Sequence, residues 1–463
     1  MKRGNRIQLH IDGMSAQGDG VGWHDGREVH VQRTVPGDVV DVVITRKRKG
    51  RFEGREVGLV SPAMERLEPF CSHFDSCGGC RWQHLSYEDQ LALKAEMVRR
   101  PLMAAGIDPG RIATIVPCHE PTFYRNKMEF SFASGPEGEL RLGLHVRGRY
   151  NRVFDVIECH LQSQISNRIV EAARNEATVR GIPAYDLRSH EGMLRFLVIR
   201  EGKFTEQVMV NLVVAEYPRE DVAAMVVAVC SKIPEITSFV VTKHSGKAQV
   251  ARGELEFAVA GGDTIVERCG DLEYRISTQS FYQTNSHQVV ALYDLVAAQA
   301  PPLQDLRVLD LYCGTGGIGL HLADRGARVL GIEQEAAAVE DARRNAEANG
   351  LERVEFRSGR VEELIGDLAD CSFDLVVVDP PRPGLHKDAM AALREISAPV
   401  LLYVSCNPVT LAEDLVSLLD AGYVVQSVVP IDMFPQTPHC EVVVRLARSA
   451  GGGEIVDWQP SPE

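Results

Sequence analysis

Along residues 1–60, short alternating apolar runs, Arg6 to Ile11, Val29 to Val31 and Val39 to Thr45, are separated by the turn signals Asp12-Gly13, Gly18-Asp19-Gly20 and Pro36-Gly37. Strands at that spacing predict a small OB-like barrel of about five strands. Residues 84–105 change period: Leu85, Leu91, Met97, Val98 and Leu102 form a helical stripe, and Ser86 stands three residues before Asp89, at capping spacing. After Pro117 the alternation returns in Phe123 to Phe132, Leu194 to Arg200 and Val208 to Val214, interrupted by a helix over Gln162 to Arg180. That pattern predicts a mixed α+β domain with an antiparallel sheet. From about residue 273 strands alternate with helices: Val308 to Tyr312, Val329 to Glu333, Phe373 to Asp379 and Val400 to Ser405 are strands, and the helix after Glu333 stops at Asn349-Gly350. Such repetition predicts an α/β fold with a doubly wound parallel sheet. The expected domains are therefore 1–61, 62–272 and 273–449, with a disordered tail over 450–463 that begins near Gly451-Gly452-Gly453.

Composition agrees with several cores, since 463 residues exceed what one hydrophobic core organises. Hydrophobic residues at 44% and charged residues at 25% describe a soluble globular chain. Apolar runs fall short of the roughly 20 residues needed to cross a bilayer, and Met1-Lys2-Arg3-Gly4-Asn5 precedes no signal-peptide core. A cytoplasmic protein without membrane partners is expected. A net charge of −14 excludes a protein that coats nucleic acid with its whole surface. Residues 1–60 nevertheless hold eleven Lys and Arg against eight Asp and Glu, with a dense run from Arg46 to Arg51. A second basic stripe runs through Arg141, Arg147, Arg149 and Arg152. The first run reads equally as a nucleic-acid-binding face or as a solvated loop, and the second keeps local phosphate contacts open.

The eleven cysteines are an odd count. Cys71, Cys77 and Cys80 cluster around Gly78-Gly79, which argues for metal binding in a reducing compartment over a disulfide framework. The spacing suits a centre that needs one more ligand, with Cys159 as the candidate, and leaves zinc and iron–sulfur both open. It is not the spacing of radical enzymes that cleave S-adenosylmethionine.

Gly314, Gly316 and Gly319 open a helix after a strand, and Glu333 ends the next strand, where a carboxylate can accept two ribose hydroxyls. That pair fits NAD as well as S-adenosylmethionine. Two further features share the same sheet edge: Asp379-Pro380-Pro381-Arg382-Pro383-Gly384, and Cys406 just past a buried strand, with Asn407-Pro408 after it. A thiol there is either packing or a nucleophile. Hydride transfer has no use for it, whereas methyl transfer to a weakly nucleophilic carbon does.

Three segments in order, Asp379 to Gly384, Leu401 to Thr410 and Asp432 to Glu441, resemble the RNA uracil-5-methyltransferases that use S-adenosylmethionine. Gln279 to Asn285 resembles that family's cofactor-contacting segment, residues 1–61 a TRAM domain, and the cysteine set the 4Fe-4S site of its 23S ribosomal-RNA branch. The resemblance implies a class I methyltransferase domain over 273–449, with Cys406 as nucleophile and Glu441 as base. It also implies cofactor contacts at Gln283, Tyr312, Glu333 and Asp379 and cluster ligands Cys71, Cys77, Cys80 and Cys159. Cys440 departs from the pattern, where an aliphatic residue is expected. The implied chemistry is addition of the Cys406 thiolate to uracil C6, methylation at C5, and removal of the C5 proton by Glu441. The site should favour thiolate, through Arg382 or a bound sulfonium. The expected partner is RNA, ribosomal RNA first, met by a monomer. The rival expectations are a transfer-RNA substrate, a cytosine-5 methyltransferase, a non-catalytic RNA-binding ribosome assembly factor and an NAD-dependent oxidoreductase.

Overall fold

A computed structural model describes residues 1–48, 50–368, 371–396 and 398–448. Lys49 of the basic run and the tail expected over 450–463 lie outside the described residues.

The N-terminal unit is a six-stranded sheet in which Arg6–His10 pairs with Val39–Arg48, then Arg51–Ser61, Arg27–Val31, Gly20–His24 and Gly13–Met14. Leu9, Ile11, Val29, Val31, Val40, Val42, Ile44 and Phe52 fill its concave side. The sheet curls until its edges nearly meet: Asp12 N donates to Val21 O at 2.8 Å, and a Cβ on Gly22 would lie 2.1 Å from His10 O. Glycine is required at that close approach. No strand ladder joins these edges among the described residues, so the expected small barrel of about five strands is here an open, strongly curled sheet of six.

The central unit holds seven strands, with Leu194–Glu201 and Val208–Val214 in the middle and buried at every position. Burial on both faces follows from cover by helices Gln164–Val179 and Glu220–Lys232 on one side and the C-terminal half of the chain on the other. The pairing is antiparallel except between Val208–Val214 and Ile236–Lys243, whose connection is the 220–232 helix. Helix Tyr87–Ala104 does not join this unit. Its Val98 and Leu102 belong to the C-terminal core together with Leu411 and Leu415, because its apolar stripe packs against the Pro408–Asp420 helix.

The C-terminal sheet comprises β1 (Arg307–Leu311), β2 (Arg328–Glu333), β3 (Val354–Ser358), β4 (Leu375–Val378), β5 (Val400–Ser405), β6 (Tyr423–Ile431) and β7 (Glu441–Arg448). Their order is β3-β2-β1-β4-β5-β7-β6, parallel except for β7, which runs antiparallel between β5 and β6. Alternation along β4 sends Val376 and Val378 to one helical layer and Leu375 and Val377 to the other. Ligands bind such a sheet beyond the carboxyl ends of its parallel strands, and every candidate cofactor contact outside 279–285 lies there. Among the described residues no helix is long and apolar enough to cross a membrane.

Candidate active site

The turn after β1 is sharp because its backbone enters the left-handed region three times, at Tyr312 (φ 63°), Gly314 (φ 56°) and Gly316 (φ 82°). Tyr312 is the unusual one, a bulky residue in a conformation that costs energy and persists where a site requires it. At Gly316 a Cβ would press to 2.8 Å from the Phe356 ring. Glu333, at the end of β2, accepts from Gly314 N at 3.1 Å and from Glu335 N at 2.9 Å, which fixes its carboxylate under the glycine turn. Gln283 approaches from the side. Asn126 of the central unit donates to its carbonyl at 2.8 Å, and Thr315 Oγ1 donates to Phe281 O at 2.9 Å, so the 279–285 segment is braced between two units.

Asp379 follows β4 directly, its N–H reaching Leu311 O at 3.3 Å. The loop after it is fastened to the Cys406 turn, since Asn407 Nδ2 and Thr410 Oγ1 both donate to Arg382 O, at 3.0 and 3.2 Å. Asn407 also caps the Pro408–Asp420 helix through Val409 N. Cys406 is half-buried at the end of β5. In the β5–β7 ladder Ser405 faces Val442, so one further residue sets Cys406 opposite Glu441. A thiol and a carboxylate 35 positions apart in sequence thus meet because β7 is inserted antiparallel beside β5.

The electrostatics of this edge are one-sided. Burial pushes Asp379 up to about 7. Glu441, buried, is raised well above the usual carboxylate range by burial first and by Asp379 second, with Arg382 opposing. Asp310, inside β1, is pushed up to about 8 by burial and then by Asp379. Among the described residues its two oxygens find no well-formed hydrogen bond, although the Gly319 N–H faces them. Cys406 is pushed up to about 11, by burial first and Glu441 second, against Arg382. Arg382 therefore acts in the expected direction but is outweighed, and the thiol of the free protein is protonated at neutral pH. Carboxylates gathered in a poorly solvated pocket call for a cation. Together with the glycine turn and Glu333, they fit S-adenosylmethionine, whose nucleoside and sulfonium have complementary chemistry.

The loop that carries Glu441 is braced from helix 87–104. Lys94 and Asp432 form a fully buried ion pair, and Asp432 also accepts from Tyr87 Oη at 2.9 Å and Phe434 N at 3.0 Å. Gln90, buried, donates to Gln436 Oε1 at 3.0 Å and accepts from Gln436 N at 2.9 Å. Gln436 O accepts from Arg81 N at 2.8 Å, so the loop is tied to the residue that follows Cys80. Cys440 is buried, its thiol raised to about 12 by burial, and its Sγ lies 3.1 Å from Glu441 O; it packs as a small hydrophobe. Asp310, Lys94 and Gln90 are absent from the sequence-derived site. The signal for the last two was a Lys and a Gln placed on an otherwise apolar helix face.

Cys71, Cys77, Cys80 and Cys159 line one pocket of about 230 Å3. Arg147, expected in a basic stripe, is spent there: its guanidinium donates to Phe74 O, Cys77 O and Cys80 O at 3.1, 3.0 and 2.8 Å. Asn167 clamps the Cys159 backbone from both sides, at 2.8 and 3.2 Å. Burial raises the thiols of Cys71, Cys77 and Cys80. Among the described residues no three ligands converge on one metal ion. All four thiols line that one pocket, a donor set whose chemistry suits a soft metal centre.

A cleft of about 1110 Å3 opens over Cys406, walled by the N-terminal sheet, helix 87–104, Arg382 and His439. His439 is pushed down to about 4 by burial and then Arg382, so it is neutral there.

Comparison with known proteins supplies the context for this geometry. Residues 263–449 match the model of the tRNA (Uracil-5-)-methyltransferase family. An uncharacterised RNA methyltransferase of Nitratidesulfovibrio vulgaris is 37% identical, over 96% of this chain and 96% of its own. One from Porphyromonas gingivalis is 35% identical, over 95% of this chain and 100% of its own. The solved structure of the Pyrococcus abyssi tRNA (uracil-54, C5)-methyltransferase with S-adenosyl-L-homocysteine is 31% identical, with a TM-score of 0.77, and covers 95% of this chain and 100% of its own.

Proposed function

The chain belongs to the S-adenosylmethionine-dependent RNA uracil-5-methyltransferase family, and we propose that it methylates C5 of a uridine in 23S ribosomal RNA through a covalent bond between Cys406 and C6. The observation that carries this reading is the β5–β7 register, which sets Glu441 across from Cys406 at the edge that also holds the glycine turn.

Each residue then has one task. Cys406, once deprotonated, adds to C6, and the electron pair of the C5–C6 bond moves into an enolate that makes C5 nucleophilic. Bound S-adenosylmethionine would supply the methyl group: C5 would bond to it as the methyl–sulfur bond breaks, the electron pair staying on sulfur and S-adenosylhomocysteine leaving. Glu441 takes the C5 proton, the C5–C6 double bond re-forms, and the carbon–sulfur bond breaks to return Cys406. A carboxylate raised by burial and by Asp379 is a better base for that carbon acid than an ordinary one. Arg382 is placed to favour both the Cys406 thiolate and the Glu441 carboxylate, since it opposes the rise of each. Glu333 would hold the ribose, and Gln283, Tyr312 and Asp379 would line the cofactor. The target uracil leaves its stack to enter the cleft.

The N-terminal sheet takes the part of a TRAM-type RNA-holding module. The four cysteines would hold a 4Fe-4S cluster, in a structural role because methyl transfer moves no electron. The link from Cys80 through Arg81 to Gln436 and the Glu441 loop supports that role. Transfer RNA is the second reading, favoured by the full-length likeness to the Pyrococcus abyssi enzyme. Mapping 5-methyluridine in ribosomal and transfer RNA from cells lacking this protein tests both. Loss from 23S RNA supports the first reading, loss from transfer RNA replaces it with the second, and loss from neither rejects the function.

A further inference from the structure

The strand Gly20–His24 pairs antiparallel with Arg27–Val31, in the register Gly22 to Val29 and Trp23 to Glu28. Period two sends Gly22 and Val29 toward the core of the N-terminal sheet and Trp23 to the opposite face. Trp23 is 58% exposed there, whereas Trp82 is 1% exposed. An isolated exposed apolar side chain needs no explanation, but this one lines the concave cleft that also contains Cys406 and Arg382. At about 1110 Å3 the cleft exceeds the roughly 300–1,000 Å3 of small-molecule sites, so it has room for a polymer. Arg51, Arg100 and Arg382 line it as well, and the buried Arg51 Nε has no hydrogen-bond partner among the described residues. The carboxylates on the same walls are Glu28, paired with His30, Asp12, paired with His10, and Glu96.

We propose that Trp23 is a stacking platform for an unpaired base of the RNA substrate, beside the uridine that enters at Cys406. The inference rests on the RNA reading above and deepens it by assigning one base-contacting side chain on the N-terminal sheet. An aromatic face accepts any base, while guanidinium groups along the same walls meet the phosphates between bases. A nucleotide next to an extruded uracil has lost a stacking neighbour, and the indole replaces it.

The test uses the full-length protein, Trp23→Ala and Trp23→Phe, with an unstructured uridine-containing oligoribonucleotide and a 23S RNA transcript as probes. The expected result is that Trp23→Ala weakens binding by about 5- to 150-fold, the range for loss of one aromatic stack. The salt dependence of binding stays unchanged because no phosphate contact is removed. Trp23→Phe restores most of the affinity, RNA quenches the wild-type indole emission, and in methylation the Ala variant raises KM far more than it lowers kcat. Unchanged affinity in Trp23→Ala with wild-type methylation intact overturns this inference and leaves the enzymatic function standing. Equal weakening in both variants also overturns it, since a mere packing or protein-docking contact would not be rescued by a smaller aromatic. A wild-type protein that neither binds nor methylates RNA removes this inference together with the function on which it rests.

Discussion

The state of the Cys406 thiol gives the most quantitative prediction. With its pKa pushed to about 11, about one molecule in ten thousand holds a thiolate at pH 7, against about three in a hundred for an ordinary thiol near 8.5. Alkylation of Cys406 in the free protein is therefore expected to be about 300-fold slower than that of an ordinary thiol at neutral pH. A unit positive charge about 5 Å from the sulfur, at an effective dielectric of about 20, stabilises the thiolate by about 3 kcal/mol. That lowers the thiol by a little over two units and raises the reactive fraction about 200-fold. The assay is iodoacetamide labelling across pH 6 to 10 with peptide mapping, and exposed Cys371 is the internal reference. It is run without ligand, with neutral S-adenosylhomocysteine, and with an analogue carrying an ammonium group in place of the sulfonium. The cationic analogue is expected to shift the Cys406 profile to lower pH, and the neutral thioether to leave it in place. Identical profiles with the two ligands, or free Cys406 reacting as fast as Cys371 at pH 7, would refute the electrostatic reasoning.

Three further outcomes follow from the same geometry. Asp310 has a folded-state pKa raised to about 8, so its contribution favours the fold at low pH and is lost as pH rises from about 4 to 8. Asp310→Asn should therefore gain stability relative to wild type on going from pH 5 to pH 8, by about 4 kcal/mol in urea titrations; a constant difference between the two proteins contradicts the buried-acid account. Lys94→Met leaves Asp432 buried beside apolar atoms and should cost about 3–5 kcal/mol of stability, with loss of methylation at temperatures where the fold persists. Calorimetry showing no change would mean that the pair is not a brace. Cys159→Ser should abolish iron binding and the visible absorption of anaerobically purified protein; colourless wild-type protein that contains zinc rejects the cluster.

The legible parts of the molecule were those where burial leaves a local signature. Val400–Ser405 is buried at every position and reads as a strand from its composition alone. β3 has a buried Phe356 between polar neighbours, and as an edge strand it carries no apolar run to find. Three strands of the N-terminal sheet and the turns between them were visible, but Gly13–Met14, Gly20–His24, Arg51–Ser61 and the ladder order were not. The parallel pairing of Arg27–Val31 with Arg51–Ser61 joins residues that no short-range pattern relates, and the sheet stays open where a small barrel was expected. Resemblance supplied the roles of Cys406 and Glu441, but their juxtaposition depends on β7 running antiparallel between β5 and β6, a tertiary fact. Arg147 shows the opposite limit. As a basic residue in a basic stripe it looks like a phosphate contact, yet three carbonyls of the cysteine loop occupy its guanidinium.

The central claim is that Cys406 and Glu441 act as nucleophile and base on one uridine. The direct measurement incubates wild type, Cys406→Ala and Glu441→Gln with a 23S RNA transcript and methyl-labelled S-adenosylmethionine, then analyses nucleosides and denaturing gels together. The expected result is labelled 5-methyluridine from wild type, neither product nor adduct from Cys406→Ala, and a stable labelled protein–RNA adduct from Glu441→Gln. Methyl incorporation by Cys406→Ala at the wild-type rate, or a Glu441→Gln protein that turns over freely without an adduct, contradicts it.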